Sequence, residues 1–355
     1  MTRVLLVKTS SLGDVIHCLP AVSDIVRNTP DVKLHWLVEA PFAEICALHP
    51  GVSRVIPMRL RQWRKAPFAE GTRTEVTAFV KEIRRARYDR VIDAQGLIRT
   101  AALAHLARGP ICGYDAASVR EPPAAMLYAR RYPVSVTIHA VERMRSLAAQ
   151  SLGYALPDEL DYGVDVEPGE RPWPAADRYI VGLHATARPD KRWPEAAWVE
   201  LAQRAAAQGL AVVLPWGDEP ERARSERIAA AAPNAIMPPK LGFGEMARLL
   251  AGAAAVVGVD TGLTHLASAV GAPVVAIYAA SWSEFNGVVG PAFVANLGGP
   301  GAAPSVDEVW ESTQRALSSG RRTGPWRAPP APTEAAIAGR RRFRPSNSRA
   351  VVHRS

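Results

Sequence analysis

Residues 256–259 are a short apolar run rich in β-branched residues, and Asp260 stands where the strand they predict should end. Thr261 and Gly262 then open a helix over residues 263–270, which stops at Gly271 with Pro273 just beyond. A helix start offers free N–H groups and a partial positive charge, so Thr261, Gly262 and Leu263 are candidate phosphate contacts. Asp260 could accept hydrogen bonds from sugar hydroxyls, and serves equally well as a helix cap. His265, about one turn in, could face the same pocket or simply pack.

Three other stretches place reactive types just after predicted strands. Asp14, preceded by Ser10 and Ser11, sits where a general base would face a cleft; capping the next helix is the competing reading. Thr186 supplies a hydroxyl and Lys191 a point charge suited to a diphosphate, in a loop that reads equally as an exposed, salt-bridged one. Glu221, in PWGDEPE, could accept from both hydroxyls of a ribose, or could serve the dipole of a first helical turn. In the first half, Arg61, Arg64 and Lys65, then Arg99, Arg120 and Arg143, could grip an anionic acceptor.

These groups need elements to position them. Residues 3–8, 32–38, 55–57 and 90–93 read as strands, alternating with helical spacing at 15–27, 42–48 and 72–87; Pro20 is a possible kink. Residues 9–14 read as a loop. Residues 96–153 look mostly helical, broken at REPP (120–123), with an amphipathic helix over 139–152. Prolines 157, 168, 172 and 174 mark a linker. A second series follows: strands at 179–183, 211–215, 235–237 and 256–259, helices at 194–208, 219–232, 244–252 and 307–317. Alternation of this kind predicts parallel, doubly wound sheets that bind ligands at the carboxyl ends of their strands.

Composition narrows the classes. The net charge of +9 belongs to the tail: residues 321–355 hold nine Arg and one acid, whereas the rest has 34 basic and 33 acidic residues. Global basicity therefore says nothing of nucleic acid, and the aromatics are not interleaved with base-reading donors. Three widely spaced cysteines exclude a disulfide framework and a C-x-x-C zinc site. No apolar run reaches the ~18 residues of a membrane span, and the N-terminus lacks a secretory core, so a cytosolic location is expected. There is no G-x-G-x-x-G after the first strand and no Walker motif. There is no D-x-D either; the nearest thing, Asp165-Val166-Glu167, lies in the linker.

Taken together, KTSSLGDVIHCLPA (8–21), RQWRKA (61–66), DAQGL (93–97), REP (120–122), HAVER (139–143), LPWG (214–217) and VDTGLTHL (259–266) resemble the lipopolysaccharide heptosyltransferases of glycosyltransferase family 9 over about residues 3–320. The first-domain motifs favour type I over types II and III. The resemblance implies a GT-B fold: two doubly wound Rossmann-like α/β domains facing each other across a cleft. The acceptor domain would span 1–167, the linker 168–177, the nucleotide-sugar domain 178–320 and a disordered tail 321–355.

The family reaction would be inverting, without an obligatory metal or cofactor, with ADP-heptose as donor and the inner Kdo of Kdo2-lipid A as acceptor. By motif, Asp14 is the general base, and Thr186, Lys191, Thr261, Gly262 and Leu263 hold the diphosphate. Glu221 binds the ribose, Leu241 lies by the adenine, Asp260 meets the heptose, and His265 supports that corner. Ser10, Ser11, Arg61, Arg64, Lys65 and Arg120 fall on the acceptor side. The enzyme would work peripherally on the cytoplasmic face of the inner membrane, without nucleic acid; its oligomeric state is left open. Two departures stand out: Ala187 replaces a second hydroxyl residue, and Leu241 replaces an expected Met. A non-catalytic sugar-nucleotide-binding protein on the same scaffold is the competing class.

Overall fold

The structure, a computed structural model, describes residues 1–164, 166 and 178–327. The expected linker at 168–177 and the part of the expected tail from 328 onward lie outside the described residues.

The first domain begins with β1 (Arg3–Val7), whose Val4–Val7 are buried, as a strand covered on both faces must be. Two helices follow, α1 (Leu12–Ile16) and α2 (Leu19–Asn28). The expected single helix with a kink at Pro20 is instead two. Proline lies in the first turn of α2, where its missing N–H costs nothing. The expected loop over 9–14 is correspondingly shorter, since α1 starts at Leu12. Then come β2 (Lys33–Glu39), α3 (Ala43–Ala47), β3 (Val52–Met58), α4 (Leu60–Lys65), α5 (Glu70–Ile83) and β4 (Arg90–Asp93).

The region expected to be mostly helical holds α6 (Ile98–Ala104), β5 (Ile111–Tyr114), β6 (Arg130–Tyr132) and α7 (Ala140–Leu152). Its two strands escaped the periodicity. Gly113 reads as a breaker, yet it sits inside β5 because a Cβ there would meet the Tyr128 ring at 2.3 Å. A short β7 (Glu159–Leu160) closes this part.

The second domain runs β8 (Tyr179–Leu183), α8 (Glu195–Ala206), β9 (Ala211–Val213), α9 (Glu219–Ala231), β10 (Ala235–Ile236), α10 (Phe243–Ala251), β11 (Ala255–Val259), α11 (Gly262–Ala269), β12 (Val274–Tyr278), α12 (Ser283–Asn286), β13 (Val294–Gly298) and α13 (Val306–Ser319). Among the described residues the two sheets have the orders β3-β2-β1-β4-β5-β6 and β10-β9-β8-β11-β12-β13. Every pairing within them is parallel. Both are thus the doubly wound order, with a switch point beside the first strand of each.

The first part of the expected disordered tail belongs to the fold. Arg322 N–H donates to the Gly271 carbonyl at 3.0 Å. β14 (Trp326–Arg327) then crosses to the first domain and pairs antiparallel with β7. A buried ion pair, Arg145 Nε to Asp24 Oδ2 at 2.7 Å, ties α7 to α2. No helix among the described residues is long and apolar enough to cross a membrane.

Candidate active site

A cleft of about 1410 Å³ opens between the carboxyl ends of the two sheets. From the first domain Ser11, Asp14 and Arg120 line it; from the second come Thr186, Lys191, Asp260, Thr261, Gly262 and His265. With Arg143 of α7, ten of the residues singled out from sequence, between positions 11 and 265, therefore share one space.

Asp14 is the third residue of α1. Its Oδ2 accepts from the Ser11 N–H at 3.0 Å and from the Ser11 hydroxyl at 2.9 Å, so it does brace the helix start. Its side chain is still one-third exposed, at 33 %, so it meets the cleft while bracing the helix. Lys8 Nζ, at the end of β1, lies 3.4 Å from Oδ1. Burial pushes the Asp14 pKa up. Lys8, the two Ser11 hydrogen bonds and Arg120 outweigh it, so the net shift is downward and the group is a carboxylate at neutral pH.

The loop leading into α1 is held from below. Asp93 Oδ1 accepts from the Gln95 N–H at 2.9 Å, and Gln95 Oε1 accepts from the N–H groups of Thr9 and Ser10 at 3.0 and 3.3 Å.

Across the cleft, Lys191 Nζ donates to Asp260 Oδ2 at 2.6 Å, and the Ser281 hydroxyl donates to the same oxygen. The Thr186 hydroxyl donates to the Asp260 carbonyl at 3.2 Å. Burial raises the Asp260 pKa, but the Lys191 and Ser281 hydrogen bonds and the charges of Lys191 and His265 bring it below the usual value. Thr261 caps α11 in an extended conformation and starts a helix whose first N–H groups have no partner within it. His265 is 5 % exposed, and burial lowers its pKa to about 4 against the opposing pull of Asp260 and Asp14.

Eight expected residues do not line the cleft, among them Arg99, exposed on α6. Ser10 is buried behind it, its N–H turned to Gln95. Arg61, Arg64 and Lys65 stand exposed on α4, beyond its margin. Glu221, in the first turn of α9, accepts from the Gly217 N–H at 2.8 Å and so closes the turn after β9. Leu241 and Leu263 are half-buried and packed against the core. Ala187, noted as a departure, does line the cleft.

Among the lining residues that the sequence did not single out are Lys8, His17 and Ser281, whereas Arg143 was one of the expected basic residues. Lys8 could have been found, because a lysine ending a buried strand must be paired. Arg143 is laid over the Tyr114 ring, 5.0 Å from its centroid, and donates to the Ser118 carbonyl at 2.5 Å. Ser281 and His17 had no such signal, since their partners are 21 and 248 residues away.

A carboxylate held ionised on one wall, facing a lysine, a hydroxyl and a helix start on the other, can take a proton from one ligand while stabilising negative charge on a second. Comparison with known proteins identifies the family. The model of "Glycosyltransferase family 9 (heptosyltransferase)" matches residues 76–311. The chain is 48 % identical over 290 residues to lipopolysaccharide heptosyltransferase 1 of Pseudomonas aeruginosa, with 81 % of each chain covered. It is 44 % identical over 278 residues to the protein of the same name from Escherichia coli K12, covering 78 % of this chain and 87 % of that one. Among solved structures, E. coli heptosyltransferase WaaC with ADP superposes with a TM-score of 0.80 at 38 % identity, covering 89 % of this chain and all of the other. The same enzyme with ADP-2-deoxy-2-fluoro heptose gives 0.78 at 38 % identity, over 89 % and 99 % of the two chains. The protein is a GT-B-type glycosyltransferase and belongs to glycosyltransferase family 9, the heptosyltransferases.

Proposed function

We propose that the protein moves L-glycero-D-manno-heptose from ADP-heptose to the inner Kdo of Kdo2-lipid A, inverting the anomeric centre, in assembly of the lipopolysaccharide core. One observation carries the reading. Asp14 lines the cleft from the first domain, and Lys191, Asp260, Thr261 and Gly262 line it from the second. An inverting displacement needs that division, with the base on one face of the anomeric carbon and the departing phosphate on the other.

The acceptor hydroxyl would give its proton to Asp14 as its oxygen bonds to the anomeric carbon. The bond from that carbon to the β-phosphate oxygen breaks, and its electron pair leaves with ADP. Lys191 and the amides of Thr261, Gly262 and Leu263 offset the charge that builds there. The Thr186 hydroxyl adds a donor, and Asp260 accepts from heptose hydroxyls. Glu221 and Leu241 are assigned to the adenosine end, outside the cleft's lining. His265 supports the sugar corner from α11.

On the acceptor side, Arg120 lines the cleft with Asp14, and Ser11 stands at the start of α1. Arg61, Arg64 and Lys65 on α4 would meet more distant phosphates or carboxylates of the lipid. Residues 1–167 would then form the acceptor domain and 178–320 the donor domain. The enzyme would act as a peripheral protein at the cytoplasmic face of the inner membrane. The test is incubation of purified protein with ADP-heptose and Kdo2-lipid A, following ADP release and heptose gain on the lipid. ADP-heptose turnover without a heptosylated lipid, or the same rate with ADP-mannose, overturns the assignment.

A further inference from the structure

Helices α1 and α11 belong to different domains and touch at their first turns. A Cβ on Gly262 would sit 2.5 Å from the Leu12 side chain; one on Gly13 would sit 3.2 Å from His265 Cδ2 and 3.8 Å from Gly262 Cα. Farther along both helices a second rung joins them. His17 Nε2 and His265 Nδ1 are 3.0 Å apart, with both rings buried and edge-on at a centroid separation of 4.4 Å.

His139, which caps α7, packs its ring against His17 at 5.4 Å. Its Nε2 lies 3.1 Å from the Gly287 carbonyl of the second domain, and its Nδ1 accepts from the Val141 N–H at 3.3 Å. A carbonyl only accepts and an amide N–H only donates, so His139 is a neutral ring with its proton on Nε2. For His17 and His265, one facing nitrogen must donate and the other accept. Burial and neighbouring positive charge push the His17 pKa well down, which favours that arrangement.

The rung lies directly behind the reacting groups. Asp14 is three residues before His17 on α1, and Thr261 and Gly262 are four and three residues before His265 at the start of α11. We propose that His17 is a positioning residue of the transfer reaction, setting, through its hydrogen bond to His265, the offset between the helix that carries Asp14 and the helix start that faces the donor phosphates. The proposal rests on the transfer reaction given above. A displacement in line loses about 100-fold for a misplacement of 1 Å, so a lost rung is read in turnover before it is read in binding.

The experiment compares His17→Leu with His17→Gln, whose amide can still pair with His265. For His17→Leu the expected result is a kcat about 10- to 100-fold lower. Its KM for ADP-heptose and its calorimetric Kd for ADP should stay within about twofold of wild type; His17→Gln should recover most of the turnover. Wild-type kcat in His17→Leu overturns the proposal. So does His17→Gln as impaired as His17→Leu, or loss of ADP affinity in step with kcat.

Should His17→Leu fail to fold, Gly13→Ala, which crowds His265, takes its place and should lower kcat with ADP affinity kept; an unchanged kcat counts against the rung. Failure of wild-type protein to transfer heptose defeats the proposed function instead. The rung is then judged by spin labels at Ser53→Cys and Gln314→Cys. A broader distance distribution in His17→Gln or Gly13→Ala than in the labelled parent supports it, and an unchanged one overturns it.

Discussion

At the scale of the residue, Asp14 shows how one carboxylate serves two ends. Its hydrogen bonds from Ser11 brace the helix, and the same contacts, with Lys8 and Arg120, keep it ionised. Asp14→Asn keeps the shape and the capping oxygen but removes the carboxylate proposed to take the proton. It is expected to fold, with a lower Tm because buried Lys8 loses its charged partner, and to bind ADP, with kcat lower by about 10²- to 10⁴-fold; a steady-state assay beside ADP calorimetry checks this. Lys191 is the counterpart on the other wall. Lys191→Ala leaves Asp260 with Ser281 alone and removes a cation from the cleft wall proposed to hold the diphosphate, so ADP binding should weaken about tenfold or more. Unchanged ADP affinity by calorimetry would remove Lys191 from the phosphate site.

The reactive residues were legible in the sequence because each followed a predicted strand. Their partners were not. Nothing local ties Ser281 to Asp260, or His17 to His265, before the chain is folded.

At the scale of the element, strands buried on both faces were the easiest to read, since β1, β8 and β11 are almost continuous apolar runs. β5 and β6 were lost because Gly113 makes room for a ring, and β6 (Arg130–Tyr132) is an edge strand rich in charge. The α2–α7 contact depends on an ion pair no periodicity reveals. Arg145 is 1 % exposed, and besides Asp24 it donates to the carbonyls of Pro157 and Glu159 at 2.8 and 2.7 Å. Arg145→Ala would strand a buried carboxylate and two carbonyls. It should cost about 3–5 kcal/mol, measurable as a shift in urea midpoint; a shift below about 1 kcal/mol would show that water reaches the site.

Buried histidines set the acid limit. Burial lowers His139, His184 and His265 from the ordinary 6.5 to about 4. The unfolded chain therefore takes up more protons than the folded one between those values. Their contribution to stability is complete above about pH 6.5 and is lost as the pH falls through about 4. The urea midpoint should drop steadily across that window; a flat midpoint would mean the rings are protonated in the folded state.

At the scale of the whole molecule, two sheets of the same strand order meet with their carboxyl edges toward one cleft. That architecture was readable from alternating strands and helices, and the place where ligands should meet followed from it. The end of the second domain was not readable. Composition changes near Gly320, yet the chain continues in register with its neighbours to Arg327, because Trp326 stacks on Tyr162, 6.3 Å between ring centroids, and β14 completes a ladder with β7. Removing residues 328–355 should leave heptose transfer to a soluble Kdo acceptor near the wild-type rate. Removing 321–355 should lower both Tm and rate. Equal behaviour of the two truncations would show that the β7–β14 ladder is dispensable.

The β7–β14 crossing has a mechanical corollary. Through β14 the second half reaches back to the first, and the α1–α11 contact joins them again, so the pair is strung like a gate hung at two points. Sliding or free tumbling of one half against the other is suppressed, and swivelling about the line joining the two points survives. Substrate entry and product escape should accordingly follow a single angular coordinate, with α1 and α11 at the pivot and the outer lips of the cleft travelling farthest.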